Sequence, residues 1–311
     1  MPGEAAEGAG RAEGAEDVQG SVDHGIGAVI LAGRRNTGAL RAIHPAEWEG
    51  LVPLAGRPMA AWVAAACLAA PSLGAVVLVG PDPGSDDAEL AGARAAGRLR
   101  VVRPGADLLG NVRIGLEALR EALPGAVGAL LVTGDVPLVT GAMLERFLAA
   151  VPPGADIAYP IARRETVEAR FPGASRTYVR LGDGEFTGGN ALYLRLAAAP
   201  QALRWAESLY AARKQPWKLA LLFGPAVLWR VLTRRATVAE LERRLGGLAG
   251  LRGHAVEVVD PELVMDVDKV ADYRQAEARL RAAAGSSGDG PRGAGPGGSG
   301  AVAPGGGRTL G

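Results

Sequence analysis

The sequence predicts an α/β domain with a doubly wound, mostly parallel sheet and a helical insertion. In the first half of the chain, short and continuously apolar runs alternate with helical stretches. Such runs are typical of strands buried on both faces, as in parallel sheets built from right-handed βαβ crossovers. The predicted strands are residues 28–32, 75–79, 100–102 and 129–132, and the predicted helices are residues 59–70, 112–123 and 141–150.

The second half of the chain has a different pattern. Residues 176–181 and 185–194 flank a glycine-rich turn, which predicts a hairpin. Residues 201–250 are mostly helical in pattern and basic, and they predict an insertion into the α/β domain. The last predicted elements are a strand over residues 254–259 and a helix over residues 271–284.

Both flanks of the chain are predicted to be disordered. Residues 1–24 form an acidic tail without apolar periodicity, and residues 285–311 form a tail rich in Gly, Pro and Ser. Neither tail carries enough large apolar side chains to offset the entropy lost on ordering. The predicted globular domain therefore spans residues 25–284.

Charge and composition argue against several classes of protein. The 311 residues include 34 basic and 33 acidic side chains, whereas a general nucleic-acid binder carries a strong basic excess. The N-terminus lacks the apolar segment of a signal peptide, and no run of apolar residues is long enough to span a membrane. Cys67 is the only cysteine, which favours a reducing compartment. We therefore expect a cytoplasmic location and no nucleic-acid partner.

Two strand ends carry the residues most suited to chemistry, because ligands of open parallel sheets bind beyond the carboxyl ends of the strands. The first loop contains Gly33, Arg34 and Arg35, and its uncrowded backbone N–H groups suit the phosphates of a nucleoside triphosphate. Asp135 follows the fourth predicted strand, where a carboxylate commonly holds Mg²⁺ with substrate phosphates. Taken singly, the glycine is also typical of a turn, and Asp135 of a cap before Pro137.

Four motifs together resemble one family. The sequence resembles the nucleotidyltransferases related to molybdenum cofactor guanylyltransferase. The matching motifs are residues 28–33 (AVILAG), 53–59 (PLAGRPM), 132–138 (VTGDVPL) and 265–269 (MDVDK). The resemblance extends from residue 28 to about residue 280. It implies a Rossmann-like fold of the nucleotide-diphospho-sugar transferase type. It also implies transfer of a nucleotidyl group from an NTP to a phosphorylated small molecule, with Mg²⁺ as cofactor and release of pyrophosphate.

The resemblance also implies a set of site residues. The nucleotide-binding residues would be Leu31, Ala32, Gly33, Arg34, Asn111 and Gly134. The catalytic residues would be Asp135, Arg34 and Arg35, and Mg²⁺ would be held by Asp135 and Asp268, with Asp266 as a further ligand. The acceptor would contact Arg176, Thr187, Gly188, Gly189 and Asn190.

Glu49 is the main departure from the family pattern, because the phosphate-binding lysine that the resemblance implies falls on or near this residue. Either Arg34, Arg35 or Arg57 supplies the missing positive charge, or the protein is a non-catalytic NTP-binding module. A glycosyltransferase that uses a nucleotide sugar is a third reading. It is less favoured because an Asp-x-Asp at a strand end in mid-domain is absent.

The basic insertion has three readings. It contains Trp205, Trp217 and Trp229, and cationic side chains flank the apolar run of residues 219–223. It forms a helical pair packed on the core, a segment that contacts a membrane surface through residues 204–245, or a lid over an anionic acceptor.

Overall fold

The structure is a computed structural model, and it describes residues 25–84, 86–212 and 224–287. The acidic tail, the C-terminal tail from residue 288 onward and residues 213–223 of the insertion lie outside the described residues. Predictions that concern Trp217 and the apolar run of residues 219–223 therefore lie outside them as well.

The first half of the chain builds the parallel half of the sheet, as predicted. Strands β1, β4, β5 and β6 pair in the order β5-β4-β1-β6 and are all parallel. A short antiparallel pair, β2 and β3, lies apart from them. The bounds are β1 (Ile26–Leu31), β2 (Pro53–Leu54), β3 (Arg57–Pro58), β4 (Leu73–Val79), β5 (Leu99–Val102) and β6 (Gly128–Thr133).

Helices cover both faces of this sheet. Successive residues of β1 point to opposite faces, so Ile30 lies in one apolar cluster with the first helix and Val29 lies in another with the third. This alternation explains why the strand is apolar at every position. The four helices are α1 (Met59–Leu68), α2 (Ala88–Ala95), α3 (Leu108–Ala122) and α4 (Gly141–Ala149).

Gly115 lets α3 approach the sheet closely. A Cβ at this position would contact Val29 Cγ1 and lie 3.0 Å from Val79 Cγ2. We expect Gly115→Ala to lower the free energy of unfolding by about 1–3 kcal/mol, because the buried neighbours must shift. Gly92, on the exposed side of α2, has open space around its Cα, and Gly92→Ala is the control. The free energy of unfolding of that control should rise by about 0.5–1 kcal/mol. Equal urea midpoints for the two variants would contradict this account.

The second half of the chain adds mixed pairings to the sheet. Strand β7 (Ile157–Arg163) is not among the predicted strands, and it contains Pro160, a residue that is rare inside sheets. The predicted hairpin is confirmed as β8 (Val179–Leu181) and β9 (Gly184–Gly188). The single long strand over residues 185–194 is wrong. Strand β9 ends at Gly188, and a separate strand, β10 (Ala191–Arg195), lies antiparallel between β6 and β7.

Two hydrogen bonds explain the break. Gly189 donates its N–H to the Pro160 carbonyl at 2.8 Å, and Asn190 donates its N–H to the Leu263 carbonyl at 3.0 Å. Both N–H groups are thus taken by different segments. The chain crosses from β9 to β10 in this way and carries Asn190 beside the end of β6, where Thr133 donates its N–H to the Asn190 carbonyl at 3.0 Å.

The described part of the insertion is helical. Its helices are α6 (Ala199–Ala212), α7 (Pro225–Leu232) and α8 (Val238–Ala249), and α8 lies against β11 (Gly253–Glu257). The remaining helices are α5 (Arg164–Arg170) and α9 (Val270–Ser287). Within the described ranges, none of the helices is both long and apolar enough to cross a bilayer.

Candidate active site

The loop after β1 is held against the sheet by close backbone contacts. Ala32 donates its N–H to the Val79 carbonyl at 2.9 Å. A Cβ at Gly33 would lie 2.6 Å from Asn111 Nδ2 and 2.7 Å from Pro104 Cβ, so only glycine fits there without displacement. Asn111 is buried and its Oδ1 accepts the Gly105 N–H at 2.6 Å. Asn111, which is a predicted nucleotide-binding residue, therefore also holds the segment at Gly105 beside the loop.

The end of β6 lies directly beside this loop. Gly134 donates its N–H to the Leu31 carbonyl at 3.0 Å, and a Cβ at Gly134 would lie 2.8 Å from Ala32 Cβ. The carbonyl of Asp135 accepts the Val267 N–H at 2.9 Å. Val267 is buried, and the carboxylate of its neighbour Asp268 lies 2.8 Å from Arg34 of the loop. One backbone hydrogen bond thus brings two distant segments to the same strand end.

Three carboxylates converge at this point. Glu49, Asp135 and Asp268 each offer one oxygen, and these oxygens lie within 4.8 Å of one another. We call these three residues the carboxylate cluster. Glu49 reaches it because its N–H donates to the Arg34 carbonyl at 3.0 Å, which ties the short turn Glu49–Leu51 to the first loop. The sequence identified Glu49 only as a missing lysine, and no local signal indicated that its side chain joins the cluster.

Among the three arginines that the sequence offered as compensation, Arg34 reaches the carboxylate cluster. Its Nε lies 3.1 Å from Glu49 Oε2, and one terminal nitrogen lies 2.8 Å from Asp268 Oδ1. The guanidinium of Arg35 lies over the Trp48 ring and pairs with Glu47.

Arg57 is occupied elsewhere. Its guanidinium lies 2.7 Å from Asp87 and 2.9 Å from Glu89, at the start of α2. Of these three arginines, Arg34 is therefore the one placed to meet a phosphate at the cluster.

Burial changes the acidity of the cluster. Burial raises the pKa of Asp135 to about 6, and the negative charges of Asp266 and Asp268 add to this effect. Burial likewise raises the pKa of Glu49 to about 7, although the Arg34 guanidinium opposes the shift. The pKa of Asp268 is also raised, by burial and by Asp266. Positive charge brought to the cluster therefore stabilises the ionised carboxylates.

Asp266, predicted as a further metal ligand, pairs with Arg176. Burial acts to raise the pKa of Asp266, but the Arg176 guanidinium outweighs it and the net shift is downward. Asp266 and Asp268 remain neighbours on one face, as the alternation with Val267 predicts. Arg176 is largely buried, and its Nε has no hydrogen-bond partner. The structure thus brings the predicted acceptor arginine to the edge of the cluster.

The other predicted acceptor residues line the crossing from β9 to β10. Thr187 is buried, and Gly188 faces the ring and hydroxyl of Tyr159. A Cβ at Gly189 would lie 2.6 Å from Pro160 Cγ, so this glycine is required by packing. The Nδ2 atom of Asn190 is buried without a hydrogen-bond partner, so both of its N–H donors are unused.

The carboxylate cluster has the donor set that Mg²⁺ prefers. Hard carboxylate oxygens bind this ion, and substrate phosphates usually complete its coordination. Asp135 Oδ1 is buried and has no hydrogen-bond partner. A buried, unpaired carboxylate oxygen is costly unless a cation satisfies it. These observations fit a divalent cation at Asp135 and Asp268, with Glu49 beside them.

We expect cation affinity at the cluster to rise from pH 5.5 to 7.5. A raised carboxyl pKa keeps the proton bound at low pH, and ligands must be deprotonated to bind metal. Steps are expected near 6 for Asp135 and near 7 for Glu49, and the raised pKa of Asp268 adds to the dependence on pH. Calorimetric titration with Mn²⁺ across this range measures them. Glu49→Gln should remove the upper step and keep the lower one, and a flat profile for the parent protein would contradict the assignment.

Comparison with known proteins assigns this fold, with its acidic site at the carboxyl ends of the parallel strands, to the nucleotidyltransferase class. The chain belongs to the family of MobA-like NTP transferase domains, whose model matches residues 28–258. The family resemblance read from the motifs is confirmed, and so is the fold of the nucleotide-diphospho-sugar transferase type.

Named relatives agree with this assignment. The chain is 35% identical over 192 residues to a 2-C-methyl-D-erythritol 4-phosphate cytidylyltransferase of Cereibacter sphaeroides, covering 61% of this chain and 77% of that protein. A hypothetical transferase from Thermus thermophilus is 36% identical with a TM-score of 0.69, over 79% of this chain and 98% of that one. A CMP:2-keto-3-deoxy-manno-octonic acid synthetase complexed with CTP shares the fold at 15% identity and a TM-score of 0.50, over 83% and 99% of the two chains.

Proposed function

We propose that this protein transfers a nucleotidyl group from an NTP to a phosphorylated small molecule and releases pyrophosphate. CTP is the first donor to test, since the relative from Cereibacter sphaeroides is a cytidylyltransferase. The observation that carries the proposal is the convergence of Asp135, Asp268 and Arg34 at the carboxyl edge of the sheet. Phosphates bind at this edge in doubly wound folds.

The chemistry asks for positioning and charge neutralisation more than for a side-chain nucleophile. A phosphate oxygen of the acceptor attacks the α-phosphorus, and the bond from that phosphorus to the β-phosphate oxygen breaks. Asp135 and Asp268 would hold Mg²⁺, which when bound neutralises charge on phosphate oxygens. Arg34 lies at the cluster to neutralise the remaining charge. Arg176 would hold the phosphate of the acceptor, and Asn190 would donate a hydrogen bond to it.

Glu49 gives Arg34 its position in this proposal. Two carboxylates hold the guanidinium at the cluster before a ligand arrives, and phosphates then compete for it. The pair of Arg34 and Glu49 would thus replace the single lysine that the family resemblance places on or near position 49. The same buried carboxylate also favours the second candidate function, a module that binds an NTP without turnover.

Pyrophosphate release separates the two candidates. Each of the four NTPs is mixed with Mg²⁺ and a panel of phosphorylated sugars, polyols and alcohols, and pyrophosphate is measured with a coupled assay. We expect release with one donor and one acceptor class, and its loss when EDTA replaces Mg²⁺. Tight NTP binding with no pyrophosphate from any acceptor would favour the non-catalytic module.

A further inference from the structure

A cavity separate from the carboxylate cluster lies beside the predicted acceptor residues. It occupies about 440 Å³ between one face of the sheet and helices α6 and α8 of the insertion. A volume of this size accommodates a small molecule. Its floor comes from β7, β9 and β11, and its cover includes Trp205, Leu241 and Leu245.

The lining of this cavity is almost entirely apolar. Ile157, Ile161 and Phe186 project from the sheet toward the helices. Its polar side chains are few: Glu242, whose Oε1 already accepts the Ala255 N–H at 2.6 Å, and Tyr159, Thr187 and His254. A sugar or another polyol placed here would lose most of its hydrogen bonds to water, which is costly. The lining therefore suits a hydrocarbon group.

The cavity adjoins the acceptor side of the active site. Thr187 and Gly188 form part of its wall, and Tyr159 lies between the two regions. Tyr159 lines the cavity, its ring and hydroxyl lie against Gly188, and it is within electrostatic range of Arg176 and Asp266. Tyr159 is thus shared by the cavity lining and by the surroundings of the ion pair at the edge of the carboxylate cluster.

We propose that the cavity binds an apolar group of the phosphorylated acceptor, so that the acceptor is a phosphorylated amphiphile. The proposal rests on the proposed function. The phosphate lies at Arg176, and the hydrocarbon passes Gly188 and Tyr159 into the space under α6 and α8. Each buried methylene strengthens binding by about fourfold, so even a short apolar group contributes strongly to the choice of acceptor.

Gly253 allows the cavity to be filled without disturbing the fold. It lies in β11, lines the cavity, and has open space where a Cβ would stand. Aromatic residues suit a strand, so Gly253→Phe should fold and occupy the space. Gly247→Phe is the matched control, because Gly247 is exposed on α8, has the same open surroundings and does not line the cavity.

Binding of octyl phosphate, methyl phosphate and inorganic phosphate to the full-length protein tests the proposal. Calorimetry below the micellar concentration should show octyl phosphate binding at least tenfold tighter than the other two. Gly253→Phe should lose at least tenfold of that affinity, and Gly247→Phe should keep it. Equal affinities for octyl and methyl phosphate, or an unchanged Gly253→Phe, would overturn the proposal.

A second arm identifies the source of the amphiphile. Vesicles of phosphatidylcholine with phosphatidic acid are offered to the parent protein and to both variants. Co-sedimentation that Gly253→Phe alone loses supports a membrane lipid, and octyl phosphate binding without co-sedimentation supports a free amphiphile. Pyrophosphate release is measured separately with CTP. Octyl phosphate bound in the cavity without any turnover would support the cavity assignment and count against the proposed function.

Discussion

Asp135→Asn is expected to lower kcat/KM for pyrophosphate release by at least about 1000-fold. The carboxylate lies at a strand end with one buried oxygen that has no hydrogen-bond partner, and a metal-bound phosphate depends on it for several kcal/mol of charge stabilisation. The amide keeps the shape of the side chain and removes its charge. Steady-state kinetics with the best NTP and acceptor measure the effect.

The same variant should be more stable than the parent protein at high pH without Mg²⁺. A carboxyl whose folded pKa is raised from 3.8 to about 6 costs stability as pH rises between these values. The cost is on the order of 3 kcal/mol at pH 8. We therefore expect Asp135→Asn to melt higher than the parent at pH 8 and to show little difference at pH 4. A higher melting temperature with lost activity excludes unfolding as the cause.

Asp82→Asn is the matched control for this prediction. Asp82 also follows a parallel strand, β4, but its carboxylate is exposed and pairs with Arg94. Its activity should stay within about twofold of the parent. Loss of activity in Asp82→Asn, or more than a tenth of parent activity in Asp135→Asn, would refute the assignment of Asp135.

Arg34→Ala is expected to lower kcat/KM on the order of 100-fold, the usual cost of removing one donor to a developing charge. The variant leaves three carboxylates within 4.8 Å of one another without their guanidinium. Arg35→Ala should change kcat/KM by less than about threefold, because its guanidinium is held by Trp48 and Glu47.

A double variant tests whether Arg34 takes the place of the family lysine. Arg34→Ala combined with Glu49→Lys returns a cation to position 49 and removes one of the three carboxylates. We expect the double variant to recover at least tenfold over Arg34→Ala alone. A double variant no more active than Arg34→Ala would show that Arg34 acts in some other way.

The first half of the fold was predictable because its signals are local. Continuous apolar runs indicate strands buried on both faces. In β1, Val29 packs in one core cluster and Ile30 packs in the other. The second half was harder. Strand β7 contains Pro160, which is untypical of a sheet strand. The Pro160 carbonyl accepts the Gly189 N–H, and this hydrogen bond helps to divide the predicted strand. That division depends on a hydrogen bond between segments far apart in the chain, which no local pattern reports.

The sequence by itself determined the parallel strands, the position of Asp135 at a strand end and the family motifs. Tertiary structure decided which side chains meet. Arg34 and Asp268 are 234 residues apart and come together because Val267 is bound to the Asp135 carbonyl. The same packing brings Glu49 into the carboxylate cluster and pairs Asp266 with Arg176. Periodicity reports the face on which a residue lies, whereas its partners depend on long-range packing that the periodicity does not contain.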